Sequence, residues 1–355
     1  MKTTYFFISF CLMIACSPPS QEDSSMQNDH NGVLLVANKS ADIFHIFDRN
    51  TGDILAELET DLEPHEVEAS PDGKWAVVSN YGDREQPGRT LSVYDVLKGE
   101  LVRTIELGMH TRPHSMKWIT GTDHLLVTTE GSQHLLKVNV ASGEIILEMP
   151  VSHEVGHMVA ASPDFSQAFV TAIRSGTVSA FDLSTGDEVS SVYSGAGAEG
   201  IDVSPGGQIW VTNRDDNTIT IFDGDINNRI DELECPEFPI RIKFTPDGSR
   251  AVVSCAKSGD IAIFDALERT LITRVSMPPY MPSGEDDAKY FSDFEDTSIP
   301  IGLVMPDNES VFVASTRANS ITEICLNEYK IIREIPAGKD PDGIHFSALR
   351  PESQR

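Results

Sequence analysis

Four residues have the types that could do chemistry: His65 in "EPHEVEASPDG", His114 in "RPHSMKW", His157 in "VGHMVAASPD" and Glu199 in "AEGIDVSPGG". Neutral imidazoles with a carboxylate suit zinc, copper or iron. Three histidines and one glutamate would also leave a coordination position open for water or substrate. No local spacing makes the site alone, because "HTRPH" and "HEVGH" fall in expected loops and not along one helix face. Residues so far apart in the chain act together only if the fold repeats and brings equivalent positions to one place. Three readings stay open from the residue types: a metal centre, polar lining of a watery channel, and contacts to an organic ligand.

The chain does repeat. "PHEVEASPDGKWAVVSN", "PHSMKWITGTDHLLVTT", "GHMVAASPDFSQAFVTA", "EGIDVSPGGQIWVTN", "PIRIKFTPDGSRAVVSC" and "PIGLVMPDNESVFVAS" align under one another. Their starts recur at intervals of about 40 to 60 residues, near the spacing of propeller blades. In each unit a short strand leads into a Pro-Asp-Gly turn or a relative of it, then an apolar second strand. An alternating third strand follows, such as "TVSAFDL" or "TITIFDG", and a turn opens a fourth. Alternation with β-branched residues at this density favours strands over helices.

The ends of the chain complete each other. Residues 33–60 match strands two to four of a unit, and "DPDGIHFSAL" near the end matches a first strand. The expected fold is therefore all-β: a seven-bladed β-propeller of four-stranded blades, closed where the N- and C-terminal strands share one blade. Closure leaves no long open sheet edge, and a monomer is expected. The domain reading is a signal at 1–15, a tether at 16–31, the propeller at 32–349 and a tail at 350–355.

"SPDGKWAVVSN" and "SPGGQIWVTN", at this repeat length, resemble the YVTN repeats of YncE-like β-propellers. The resemblance spans roughly residues 32–349, with "WITGTDH" departing from the turn pattern in the second unit. It implies the fold and a secreted or surface protein, and says little about chemistry.

In a blade of this kind the first strand lines the central channel, and the loops before strand one and after strand two share a face. His65, His114, His157 and Glu199 thus occupy one repeat position at one mouth, completed by Ile240, Ile301 and Asp342. The same face is expected to carry Asn80, His110, Glu130, His153, Arg174, Asn213, Arg214 and Arg317. An insertion from Pro278 to Pro300, rich in carboxylates, should lie there as a lid or partner loop. Cys235 and Cys255 belong to one blade end and are a candidate disulfide.

Composition narrows the function classes. A net charge of −28 over 355 residues opposes nucleic acid and anionic lipid surfaces. Glycine-rich phosphate loops, a GxSxG elbow and a CxxCH haem motif are all missing from the sequence. The start, "MKTTYFFISFCLMIACSPPS", reads as a signal whose apolar core is too short to span a bilayer. Its "LMIAC" resembles a bacterial lipobox, which implies lipidation of Cys16, membrane contact through that anchor only, and an outer-membrane, surface or periplasmic protein. The function expected is an extracytoplasmic binding protein for a small ligand, metal or protein partner at the channel mouth. The alternative is a metal-dependent enzyme, a lactonase-like hydrolase or an oxidoreductase.

Overall fold

The computed structural model describes residues 32–280, 291, 294 and 297–351. The proposed signal, Cys16, the tether, all the carboxylates of the insertion and the last four residues lie outside the described residues.

Seven four-stranded antiparallel sheets stand around one axis. Their inner strands are Pro64–Ala69, Pro113–Trp118, Gly156–Ala161, Ala198–Val203, Pro239–Phe244, Pro300–Val304 and Pro341–Ser347, which we number blades one to seven. Blade seven is the composite: Pro341–Ser347 pairs with Val33–Asn38, which pairs with Ile43–Asp48 and then Ile54–Glu59. The all-β, seven-bladed expectation and the shared closing blade are both seen.

Middle strands read as continuous apolar runs because neighbouring blades cover both of their faces. Ala76, Val77 and Val78 of blade one are fully buried, as are Leu125, Leu126 and Val127 of blade two. Outer strands alternate instead, as in Glu188–Tyr193 with exposure on every second residue, since they face water on one side. The core is accordingly a set of wedges between blades. Trp210 of blade four packs edge-on against Phe244 and Phe264 of blade five, with ring centroids 5.5 and 6.3 Å apart.

Two local devices repeat and set the position of the site. The residue ahead of every inner strand has a left-handed backbone: Glu63, Arg112, Val155, Gly197, Phe238, Ile299 and Asp340 have φ between 47° and 71°. Only one of the seven is glycine, and a positive φ at Val155 or Ile299 is a genuine outlier for a β-branched residue. Such outliers cluster at functional sites, each costing on the order of 1–3 kcal/mol.

Immediately after this residue the pairing with the second strand slips. In blade one, Pro64 pairs with Asn80 and Val67 with Val78, so His65 and Glu66 together face Ser79. Blades two, three, four and six slip in the same way around His114/Ser115, His157/Met158, Glu199/Gly200 and Ile301/Gly302. In blade seven the doubled pair is Asp342/Gly343. A two-against-one bulge bends the strand and re-aims its side chains.

In blades one to four a hydroxyl on the second strand stabilises the bulge. Ser79, Thr128, Thr171 and Thr212 accept from the amides of Glu66, Ser115, Met158 and Gly200 at 2.9–3.2 Å. Thr128 and Thr171 also donate to the carbonyls of His157 and Glu199 in the next blade, at 2.7 and 2.6 Å. The same hydroxyls therefore fix the bulges and join the blades. Where the bulge's second residue is glycine, the next blade is too close for a side chain. A Cβ on Gly302 would overlap the Asp342 carbonyl, and one on Gly343 would lie 2.5 Å from the Glu66 Cα.

Candidate functional site

The bulges gather His65, His114 and His157 into a contiguous row at the mouth. Ring centroids of His65 and His114 are 4.2 Å apart, and those of His114 and His157 are 3.9 Å apart. Tyr81 closes one side, 5.1 Å from the His65 ring and 5.8 Å from the His114 ring. The Arg112 guanidinium lies over the Tyr81 ring, 5.0 Å from its centroid.

The two flanking histidines are held by carboxylates. His65 Nδ1 is 2.8 Å from Asp342 Oδ2, in contact although off the line of an ideal hydrogen bond. Lys39 donates to His65 Nε2 at 3.3 Å and lies 3.6 Å from Asp342. On the other flank, His157 Nδ1 bonds Glu130, whose second oxygen accepts from the Tyr81 hydroxyl. His157 Nε2 is 3.2 Å from Glu199. Metal-binding histidines commonly carry a carboxylate on one ring nitrogen, which fixes the tautomer and frees the other.

His114 is different. It is 1 % exposed, and among the described residues neither ring nitrogen has a hydrogen-bond partner. Burial, reinforced by the charges of His157, His65, Arg241 and Lys39, pushes its pKa well below the ordinary imidazole value. The ring is therefore neutral, with one donor and one acceptor both unanswered. Buried polar atoms are nearly always satisfied, and an orphan calls for an explanation.

Around the histidines the charges are compensated. Arg241 reaches across the channel from blade five, donating to Glu66 at 2.8 Å and to Glu199 at 3.1 Å. Arg214 takes the other oxygen of Glu199. Burial alone would raise the Glu199 carboxyl, but His157, Arg214 and Arg241 hold it down at about 2. Burial likewise opposes ionisation of Asp342, and His65, Lys39 and Arg241 outweigh it. For His157 the desolvation that would lower its pKa is overcome by Glu130 and Glu199, and the net shift is upward.

Among the described residues, two groups have donor atoms close enough to share an ion, all within 4.8 Å of one another: His65, Glu66 and His114, and His114, Glu130 and His157. Both contain His114. Glu199, expected as the fourth metal ligand, lies beside them with its carboxylate taken up by Arg214 and Arg241. Glu130 and Glu66 are the carboxylates of the two groups, and each already has partners of its own: His157 and Tyr81 for Glu130, Arg241 for Glu66.

The other expected mouth residues separate into two sets. Asp342, Glu130 and Arg214 join the cluster. Asn80 and Asn213 do not: both are fully buried, and their amides bond Thr90 and Ser92, and Thr218 and Thr220. They hold the ends of the second strands to the third strands, turned into the blade and away from the mouth. His110 is buried against the His134 ring and bonds Ser132, with Glu148 at 3.4 Å, away from the histidine row. His153 is half-buried in the loop before blade three. Arg174 pairs with Glu154 at 2.7 Å in open solvent. Arg317 is buried and donates to the carbonyls of Phe291 and Phe294 in the insertion. Those two rings stack at 5.1 Å and pack on Phe238, which lies under Arg214. This edge of the insertion therefore borders the mouth. Cys235 and Cys255 are buried free thiols with their sulfurs 3.7 Å apart.

Sequence reasoning missed Lys39, Glu66, Tyr81 and Arg241. Glu66 and Arg241 each follow an assigned repeat position by one residue, and an alternating strand would turn them away. The bulge turns them inward.

The family model of the YNCE-like beta-propeller matches residues 20–279. The chain belongs to this family. Among solved structures, a functionally unknown protein from Desulfotomaculum acetoxidans DSM 771 superposes with a TM-score of 0.73 at 15 % identity, covering 90 % of this chain and 99 % of that one. At that identity the likeness speaks for the fold alone. No curated protein matches this YNCE-like propeller.

Proposed function

We propose that this YNCE-like propeller is a lipid-anchored, extracytoplasmic binding protein whose channel mouth holds a divalent transition metal through His114, His157 and Glu130. The observation that carries the reading is His114, a buried neutral imidazole with both nitrogens unanswered, set between two histidines already oriented by carboxylates. Imidazole and carboxylate donors suit zinc, copper or iron. The metal would occupy the coordination gap, and Tyr81, Arg112 and the insertion edge at Phe294 would shape what reaches it.

The test is elemental analysis of the intact chain purified without a metal-affinity tag, before and after equilibration with zinc, copper and iron. The reading expects metal retention that falls by about 100-fold in affinity for folded His114→Ala or His157→Gln protein. No retained metal, or retention indifferent to His114, overturns it.

The Tyr81 hydroxyl, held by Glu130 beside the same donors, favours a second reading: a metal-dependent hydrolase or oxidoreductase in which this pair moves a proton. Turnover of lactone or ester substrates by metal-loaded protein, lost in Tyr81→Phe while metal is retained, would distinguish it.

A further inference from the structure

We propose that the mouth accommodates two metal ions, with His114 as a bridging imidazolate between them. The inference rests on the metal-binding reading above and adds a second position to it. One ion would take its donors from His114, Glu130 and His157, and the other from His65, Glu66 and His114.

Three observations point to sharing. The two donor groups overlap only at His114. Once its N–H is lost, the imidazolate ring offers two in-plane lone pairs that diverge, so it can serve two ions but gives each only one nitrogen. Both nitrogens of His114 are buried and unanswered, whereas one partner would leave a single orphan.

The flanks are also built alike. Asp342 lies at His65 Nδ1 and Glu130 at His157 Nδ1, each leaving Nε2 facing another group: the Lys39 amine for His65, Glu199 for His157. Glu66 commits Oε1 to Arg241, and its second oxygen can accept. A mononuclear site would use the His157 side alone and leave the His65, Asp342 and Glu66 arrangement without a ligand.

Each ion forms one bond to a His114 nitrogen, and the single N–H of the neutral ring loses its proton to solvent. No electron is transferred. The second ion must displace the Lys39 contact on His65, so it binds after the first and more weakly.

The experiment is a copper(II) titration of the intact metal-free chain, read by bound metal after dialysis and by electron paramagnetic resonance. Two equivalents are expected, and most of the copper signal should vanish as the second enters, because an imidazolate couples the two spins. His65→Gln and Glu66→Gln should each bind one equivalent with its full signal. One equivalent in the wild type, indifferent to His65 and Glu66, overturns the second position and leaves the single-ion reading standing. Two equivalents with additive signals overturn the bridge. No bound copper overturns both.

Discussion

The two ends of the channel use the same seven strands in opposite ways. At the mouth the second residue of each inner strand forms the ring His65, His114, His157, Glu199, Ile240, Ile301 and Asp342. Three residues further along each strand, the ring is Glu68, Lys117, Ala160, Asp202, Lys243, Val304 and His345. In the lower ring the charges alternate and answer one another. Glu68 accepts from the Trp118 amide at 3.1 Å, with Lys117 at 3.9 Å and His345 at 3.3 Å. Asp202 accepts from the Phe244 amide at 2.8 Å and lies 3.9 Å from Lys243. At the mouth, compensation stops at His114. The lower ring closes the propeller, and the upper ring leaves the His114 nitrogens unanswered at a cost in stability. That division is expected where function and stability compete.

The largest effect should come from Arg241, which compensates two carboxylates at the mouth as the lower ring does. Arg241→Met leaves buried Glu199 and half-buried Glu66 with less compensation, and should cost about 3–5 kcal/mol in denaturant unfolding. A loss below about 1 kcal/mol would mean that the span across the channel is not structural.

Glu68→Gln comes next. Burial opposes the Glu68 charge, but Lys117 and His345 bring its pKa from 4.5 down to about 2. A carboxyl depressed on folding stabilises above its unfolded pKa, and that stabilisation is lost as pH falls from about 4.5 through about 2. The wild type should therefore lose on the order of 3 kcal/mol across that window. Glu68→Gln should lack this contribution at neutral pH and show a flatter acid profile, with metal retention unchanged. Equal acid profiles would remove Glu68 from the account.

A smaller effect of opposite sign is expected at His114. With no metal present, His114→Leu removes two unanswered polar atoms and should raise stability by about 1–2 kcal/mol. Thermal unfolding of metal-free protein checks this, and destabilisation would show that the ring is satisfied in solution. Smallest is Thr171→Val, which deletes the hydroxyl joining blades three and four. A loss of about 1 kcal/mol is expected by the same measurement, and none at all would demote the hydroxyl belt.

Much of this contrast is legible in the sequence. The repeat "PHEV…SPDG…VVSN" marks the blades, and the complementary ends mark the closing blade. Because closed repeats place equivalent residues on one ring, the repeat also assigns His65, His114, His157, Glu199 and Asp342 to one mouth. Repeat position misplaces Asn80, Asn213 and His110, because loop and strand-end residues choose between mouth and blade by hydrogen bonding, which spacing does not encode. Their neighbours Thr90, Thr218 and Ser132 decide it.

The sequence by itself determined the all-β architecture, the number of blades and the histidine ring, because each follows from a period that local residues impose. Tertiary structure alone decided which side chains share the site. The left-handed residue and the bulge behind it turn Glu66 and Arg241 inward against strand alternation. Closure of the ring then carries Arg241 to Glu66 across 175 residues of chain and sets His114 where none of the described residues answers it.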